Sequence, residues 1–221
     1  MARNSQQLTQ IQSEIEQSGG KALSVTVDGT DPASVKAAFE QVSSQLGAPE
    51  VFVYNAGAFQ KAGILELTPE QFEFSWKVNC FGAFLAVQQV LPAMVERGRG
   101  TILLTGATAA VKGSAKFAAL AVGKFGLRAL AQSLAREFSP QGIHVAHIII
   151  DGMINTQRVR AMVSEAEEHT LLAPEAFAQH LRSRSVPAGL RRFAQTYWQL
   201  YQQDPTAWTL ELDLRPAVEK F

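Results

Sequence analysis

VFVYNAGAF, residues 51–59, is an apolar run that stops abruptly at asparagine, alanine and glycine. Its first four residues are all apolar or aromatic, where a strand with one wet face would alternate them with polar ones. A short unbroken run of this kind reads as a strand covered on both sides. Two later stretches repeat the pattern. TILLTG (101–106) and HVAHIII (144–150) are again short and largely apolar, and glycine with small or polar neighbours follows each. An earlier run, ALSVTV (22–27), leads into Asp28-Gly29 in the same way.

Helical patterns lie between these runs. LTQIQSEI puts Leu8, Ile11 and Ile15 on one face, and Gly19-Gly20 end that helix. Asp31-Pro32 is a cap followed by proline at the first helical position, and it opens a stripe of Val35, Phe39, Val42 and Leu46. Thr68-Pro69-Glu70-Gln71 is a second start signal, with Gln71 placed for a capping box and a long helix to about Met94 behind it. Ser114 to Phe138 reads as another long helix. Later, EAFAQHL and RRFAQTYWQLYQQ read as helices and WTLELDL as a last strand. The alternation predicts an α/β fold: one domain over 1–221, built on a doubly wound parallel sheet. In such sheets ligands bind at the carboxyl ends of the strands. DGTD, NAGAF, TGATAAVKG and DGMINT therefore become the segments in which a site is expected, glycine letting backbone approach a ligand.

Basic and acidic residues balance at 20 each, so no nucleic acid and no anionic membrane is expected as partner. The one basic cluster, HLRSRSVPAGLRR (180–192), reads as a solvated helix end and loop. Cys80 is alone, which excludes a disulfide framework and a thiolate metal site. His144, His147, His169 and His180 contain no i,i+4 pair, and no metal is expected. No signal peptide or long apolar span is read, so the expected setting is the reducing cytoplasm.

FAALAVGKFGL (117–127) is an apolar helical run with a single charge, Lys124, and no carboxylate near it in sequence. Lysine seldom goes fully inside without compensation. It either snorkels to solvent or points into a site that needs a cation.

Five motifs, taken in order and spacing, resemble the short-chain dehydrogenase/reductase family. They are YNAG (54–57) after a strand, VNCFGAF (78–84) in the next helix, AVGK (121–124) in the helix after, LARE (134–137) leading to GIHVAHIII, and DGMINT (151–156). The resemblance runs from residue 1 to about 160 and resumes in TYWQLYQQDPTAWTLELDL (196–214). It implies a Rossmann-like sheet that binds NADP or NAD and moves a hydride between nicotinamide and a small carbonyl or alcohol substrate. Carried over residue by residue, it implies that Asp28 meets the adenine amino group and that Asn55, Ala56 and Gly57 line the ribose. Asn79 belongs to a proton relay. Lys124 holds the nicotinamide ribose hydroxyls and lowers the pKa of a neighbouring tyrosine. Gly152, Ile154 and Thr156 border the carboxamide. Arg3, at the end of the family's second strand, favours the 2′-phosphate of NADP. The two long helices, 69–94 and 114–138, resemble those that build the family's homodimers and homotetramers. Residues 153–206 correspond to its variable, substrate-setting region.

Two departures go with the resemblance. The family reads Tyr-x-x-x-Lys, and here the residue four before Lys124 is Leu120, on the same helical face but with no proton to give. The family's serine position is Ala107. Thr108, beside it, is the candidate hydroxyl, with Thr105 and Ser114 less well placed. Tyr54 continues a strand and is expected to pack inward. The family also begins with a strand, a Gly-rich loop and a helix, a βαβ unit of roughly 30 residues that this sequence lacks. TGATAAVKG does not replace that loop, because it lacks the G-x-G-x-x-G spacing.

With the family's strand order 3-2-1-4-5-6, the lack leaves ALSVTV without a neighbour, VFVYNA with a bare edge, and a pyrophosphate without a helix N-terminus. This polypeptide alone is therefore expected to bind dinucleotide poorly. Calorimetric titration with NADPH checks it, and sub-micromolar binding would contradict it. Two functions are expected from these features. One is an NAD(P)-dependent oxidoreductase of the short-chain type, this chain being a fragment or degenerate form of it. The other is a non-catalytic binding or scaffold protein on the same fold.

Overall fold

The computed structural model describes residues 1–151 and 188–215. Four parallel strands stand in chain order: β1 (Val51–Tyr54), β2 (Gly100–Thr105), β3 (Ile143–Ile150) and β4 (Glu211–Leu214). Val51 pairs with Thr101, Gly100 with Ile143 and His147 with Glu211. Every residue of β2 and β3 is buried, which is why those strands are written as nearly unbroken apolar runs.

The helices are α1 (Ser5–Gln17), α2 (Pro32–Leu46), α3 (Pro69–Trp76), α4 (Gly82–Arg97), α5 (Ala118–Phe138) and α6 (Ala188–Tyr201). One face of the sheet gives Ile102, Leu104 and Val145 to a core with Phe39 of α2, Val90 and Met94 of α4 and Leu127 of α5. The other face gives Leu103, Ala146 and Ile148 to a smaller core with Leu200 of α6. This is the two-sided α/β arrangement expected from the alternating pattern.

The start signals act as their chemistry requires. The Asp31 carboxylate accepts from the N–H groups of Ala33 and Ser34. Thr68 and Gln71 form a reciprocal capping box. Asn4 caps α1 through Gln6 and Gln7.

Four expectations need correction. The helix expected from Ser114 begins at Ala118, because Lys116 takes a left-handed backbone (φ 68°) that a right-handed helix cannot contain. The long helix from Pro69 is not continuous α-helix: a π turn at Lys77–Phe81 separates α3 from α4. The whole stretch Pro69–Arg97 is long and apolar enough by composition to cross a membrane, contrary to the sequence reading, but half of its most apolar window is buried inside the protein. ALSVTV is not a strand. It makes a single parallel bridge, Thr26 to Ala2, with Ala2 N–H on the Val25 carbonyl (3.3 Å) and Val27 N–H on the Ala2 carbonyl (3.1 Å). It therefore has a neighbour, though one only a residue long. Among the described residues the expected bare edge of VFVYNA is present: β1 pairs with β2 alone, and Val51 and Val53 are 36% and 43% exposed. EAFAQHL lies outside the described residues, as does most of the 180–192 cluster.

Beyond the core, Arg128 of α5 forms two bonds to the Glu211 carboxylate (2.6 and 2.7 Å), tying α5 to β4. His144 lies flat against Trp208, their ring centres 5.0 Å apart and 5° from parallel, and its Nε2 is 2.9 Å from the Thr209 carbonyl oxygen.

Candidate active site

The carboxyl end of β1 runs into the loop Asn55–Ala58. Asn79, in the π turn and fully buried, holds that loop. Its Nδ2 donates to the Ala58 carbonyl (2.9 Å), the Ser75 carbonyl (2.9 Å) and the Ser75 hydroxyl (3.2 Å), and its Oδ1 accepts from Ala58 N–H (3.4 Å). One amide thus joins loop to helix and widens the helix where it does so, as π turns at functional positions commonly do.

Helix α5 crosses this turn closely because it carries glycine there. A Cβ on Gly123 would stand 2.6 Å from the Asn79 Cβ. The residue after Gly123 is Lys124, 5% exposed, and its Nζ donates to the Thr105 carbonyl at the end of β2 (2.8 Å). Burial pulls its amine down to about 8. The lone charge of FAALAVGKFGL is therefore inside, at the carboxyl end of β2. An ammonium has three donors, and the Thr105 carbonyl takes one.

Thr108, in a short turn after β2, donates its hydroxyl proton to the Asp151 carboxylate, which also meets Arg215 at 3.2 Å. The Thr105 hydroxyl lies 2.7 Å from the Tyr197 phenol of α6. Asp151, Tyr197 and Arg215 are not among the site residues read from the sequence. Asp151 had a signal, since it opens DGMINT after a strand. Tyr197 and Arg215 had none, because only the folded sheet brings them to β2 and β3. Tyr54 packs inward as expected: its hydroxyl donates to the Val78 carbonyl (2.6 Å) and burial raises its pKa far above the ordinary phenol value.

Arg3, Asp28, Asn55, Ala56 and Gly57 line one cavity of about 610 Å3, together with Tyr54 and Gly82. The Arg3 guanidinium lies 5.6 Å from the centre of the Phe74 ring. The Asp28 carboxylate accepts from the Thr30 N–H (2.9 Å) and hydroxyl (2.7 Å), which holds it below the ordinary carboxylate value, with the charge of Arg3 adding to the effect. Lys124 and Thr108 do not line this cavity. Gly152, Ile154 and Thr156 fall outside the described residues.

Beneath the site, His147 is 1% exposed, with Nδ1 3.2 Å from Glu211 and Nε2 without a hydrogen-bond partner among the described residues. Burial lowers its pKa, and the bond to Glu211 opposes this. Glu211 is held below its ordinary value, first by the bond from Arg128. Both groups bind protons less readily in the fold than in the unfolded chain. Their stabilisation is present at neutral pH and is lost as pH falls, for His147 starting below its unfolded value of 6.5 and for Glu211 only below 4.5. Urea unfolding between pH 7 and 5 is expected to show falling stability, and His147→Gln is expected to flatten that slope.

Known proteins place this geometry. Residues 1–167 match the family model described as short chain dehydrogenase. An L-2,3-butanediol dehydrogenase from Corynebacterium glutamicum is 33% identical over 143 residues, 64% of this chain and 55% of that protein. The 3-oxoacyl-[acyl-carrier-protein] reductase MabA of Mycobacterium avium is 33% identical over 138 residues, 62% of this chain and 54% of that protein. The chain thus matches little more than half the length of these curated relatives. A short-chain dehydrogenase structure from Rhodopseudomonas palustris superposes with a TM-score of 0.76 at 35% identity, covering 97% of this chain and 84% of that one. An alcohol dehydrogenase from Thermococcus sibiricus, complexed with 5-hydroxy-NADP, superposes at 0.81 with 19% identity, which supports the fold alone. By the extent of the family match and the arrangement of its sheet, this chain belongs to the short-chain dehydrogenase family.

Proposed function

We propose that the site serves an NAD(P)-dependent oxidoreductase acting on a small carbonyl or alcohol, with NADP favoured. The observation that carries this is the burial of Lys124 with its ammonium on the Thr105 carbonyl at the carboxyl end of β2. A buried ammonium whose one partner among the described residues is the Thr105 carbonyl suits a vicinal diol such as the nicotinamide ribose. Asn55, Ala56 and Gly57 would line the same nucleoside, Asp28 the adenine end, and Arg3 a 2′-phosphate. Gly152, Ile154 and Thr156 are proposed for the carboxamide end. When bound, the nicotinamide supplies or accepts the hydride. Asn79 keeps the Asn55–Ala58 loop against the helix, and the charge of Lys124 stabilises developing negative charge nearby.

Thr108 takes the place of a family hydroxyl. Its own proton is directed at Asp151, so its oxygen is free to accept one. This suits proton removal from an alcohol, with Thr108 passing its hydrogen to Asp151 as it receives the substrate's.

Self-association through α3–α5 is part of the proposal. Trp76, Phe81 and Phe84 stack at 5.4 and 6.1 Å, and Phe74, Val122 and Phe125 stand exposed on the same helices. A homodimer or homotetramer that covers them is expected in sedimentation velocity. The proposed setting is the cytoplasm, where the single Cys80 stays a thiol.

The test is NADPH or NADP+ absorbance with a panel of aldehydes, ketones, quinones and alcohols. Lys124→Ala should abolish turnover, and unchanged turnover would remove the lysine from the site. A second reading, a non-catalytic binding protein, is favoured by Leu120, which puts no acid beside Lys124. NADPH binding without turnover of any panel member would support it.

A further inference from the structure

Two loops meet beside the first turn of α5. The first continues from the segment that Asn79 holds: Phe59 follows Ala58, whose carbonyl and N–H both bond the Asn79 amide. The second is the stretch that leads into α5. The Ala62 N–H donates to the Lys116 carbonyl (3.0 Å), and the Phe59 and Phe117 rings meet at 5.6 Å, inclined by 60°. The Phe117 carbonyl accepts from the Ala121 N–H (2.9 Å), which fixes it to the helix. From Phe117 to Lys124 is two helical turns, about 10 Å, on one face.

Two cations accompany the aromatic pair. The Lys61 ammonium lies 5.9 Å from the centre of the Phe117 ring. Lys116 is exposed, and it is the one non-glycine residue with a positive φ (68°) among the described residues. Glycine takes that backbone freely and lysine only at a cost. The bond to Ala62 uses the backbone and would form equally from glycine, so the cost is borne for the side chain. Neither lysine has a carboxylate partner among the described residues. The one acid of the first loop, Glu66, accepts from the Gly63 N–H of its own turn (3.2 Å).

Phenyl rings offer a polyol no hydrogen-bond partner, and a neutral substrate would leave both cations unused. We infer that Lys61 and Lys116 anchor an anionic group of the substrate, with Phe59 and Phe117 against an apolar spacer of about one aromatic ring between that anion and the reacting carbon. This rests on the oxidoreductase reading of Lys124 and names the substrate class within it.

The probes are 4-acetylbenzoate and its neutral isostere 4-acetylbenzamide, titrated into the full chain without nucleotide and followed by NMR. The acid should bind at least about fivefold more tightly than the amide, the factor that a partly exposed ion pair supplies, and should shift the Phe59, Ala62 and Phe117 amides. Lys61→Gln and Lys116→Gly should each reduce that preference, and the double variant should erase it. Lys116→Arg should keep it. Phe117→Ala should weaken acid and amide alike and leave their ratio unchanged. Lys116→Gly should also resist urea better than the parent, so its lost preference is not a loss of fold. The inference is overturned if acid and amide bind alike, if neither binds at millimolar concentration, or if the double variant keeps the preference. None of these measurements needs hydride transfer. A binding preference without turnover of any carbonyl or alcohol would leave the anchor standing and sink the oxidoreductase reading. Turnover of acid and amide with equal kcat/KM and equal affinity would sink the anchor alone.

Discussion

Leu120→Tyr is expected to raise turnover by ~10²–10⁴-fold, the contribution of a positioned general acid or base. Leu120 stands four residues before Lys124 on α5, one helical turn away, and neighbours at that spacing share a face. It is only partly buried, so a phenol there could reach substrate and water. The ammonium of Lys124 would favour the phenolate and bring the phenol towards a useful pKa. Leu120→Phe adds the ring without the hydroxyl and should give no gain. Leu120→Tyr combined with Lys124→Met should lose most of the gain. If the tyrosine and phenylalanine variants turn over alike, position 120 lies away from the reacting atoms.

The second large effect concerns Lys124 itself and runs in opposite directions for stability and function. Its amine titrates near 8 in the fold against 10.5 when free. At neutral pH the charge is carried in both states, and the fold bears a desolvation penalty of about 3 kcal/mol by the free-energy equivalent of such a shift. The unfolded chain binds more protons between these two values, so native stability should rise with pH across that window. Lys124→Met removes the penalty and keeps the volume, but leaves the Thr105 carbonyl without its donor. The net expectation is a protein more stable by about 2 kcal/mol at pH 7, with the difference fading towards pH 10.5 and with no turnover. Urea denaturation at pH 7 and pH 10 checks the first part. A variant no more stable than the parent at pH 7 would mean that the buried ammonium is well compensated without a ligand.

What was legible in the sequence had local causes. Unbroken apolar runs announced β2 and β3 because both their faces are covered. Caps at Asp31 and Thr68 announced helix starts because the bonds that make a cap span three residues. Lys124 was conspicuous because a charge in an apolar helix needs a reason. The remainder depended on distance in sequence. Asp151 and Arg215 are brought together by the pairing of β3 with β4, and Tyr197 reaches Thr105 only when α6 packs on the sheet. The π turn was invisible because its cause, the Asn79 amide returning to Ser75, adds no pattern to the side chains. ALSVTV misled because β-prone composition makes a strand only where a partner strand is long enough to pair with it.

The flat contact between His144 and Trp208 carries a practical consequence. A protonated imidazole quenches the emission of an indole stacked on it, and a neutral one does so far less. Burial keeps His144 neutral below its ordinary titration range, so Trp208 should stay bright on mild acidification while the segment leading into β4 remains docked. Once that segment loosens, the indole leaves the imidazole, water reaches it, and its emission shifts to the red. The molecule thus contains its own optical gauge of how firmly its carboxyl-terminal strand is seated.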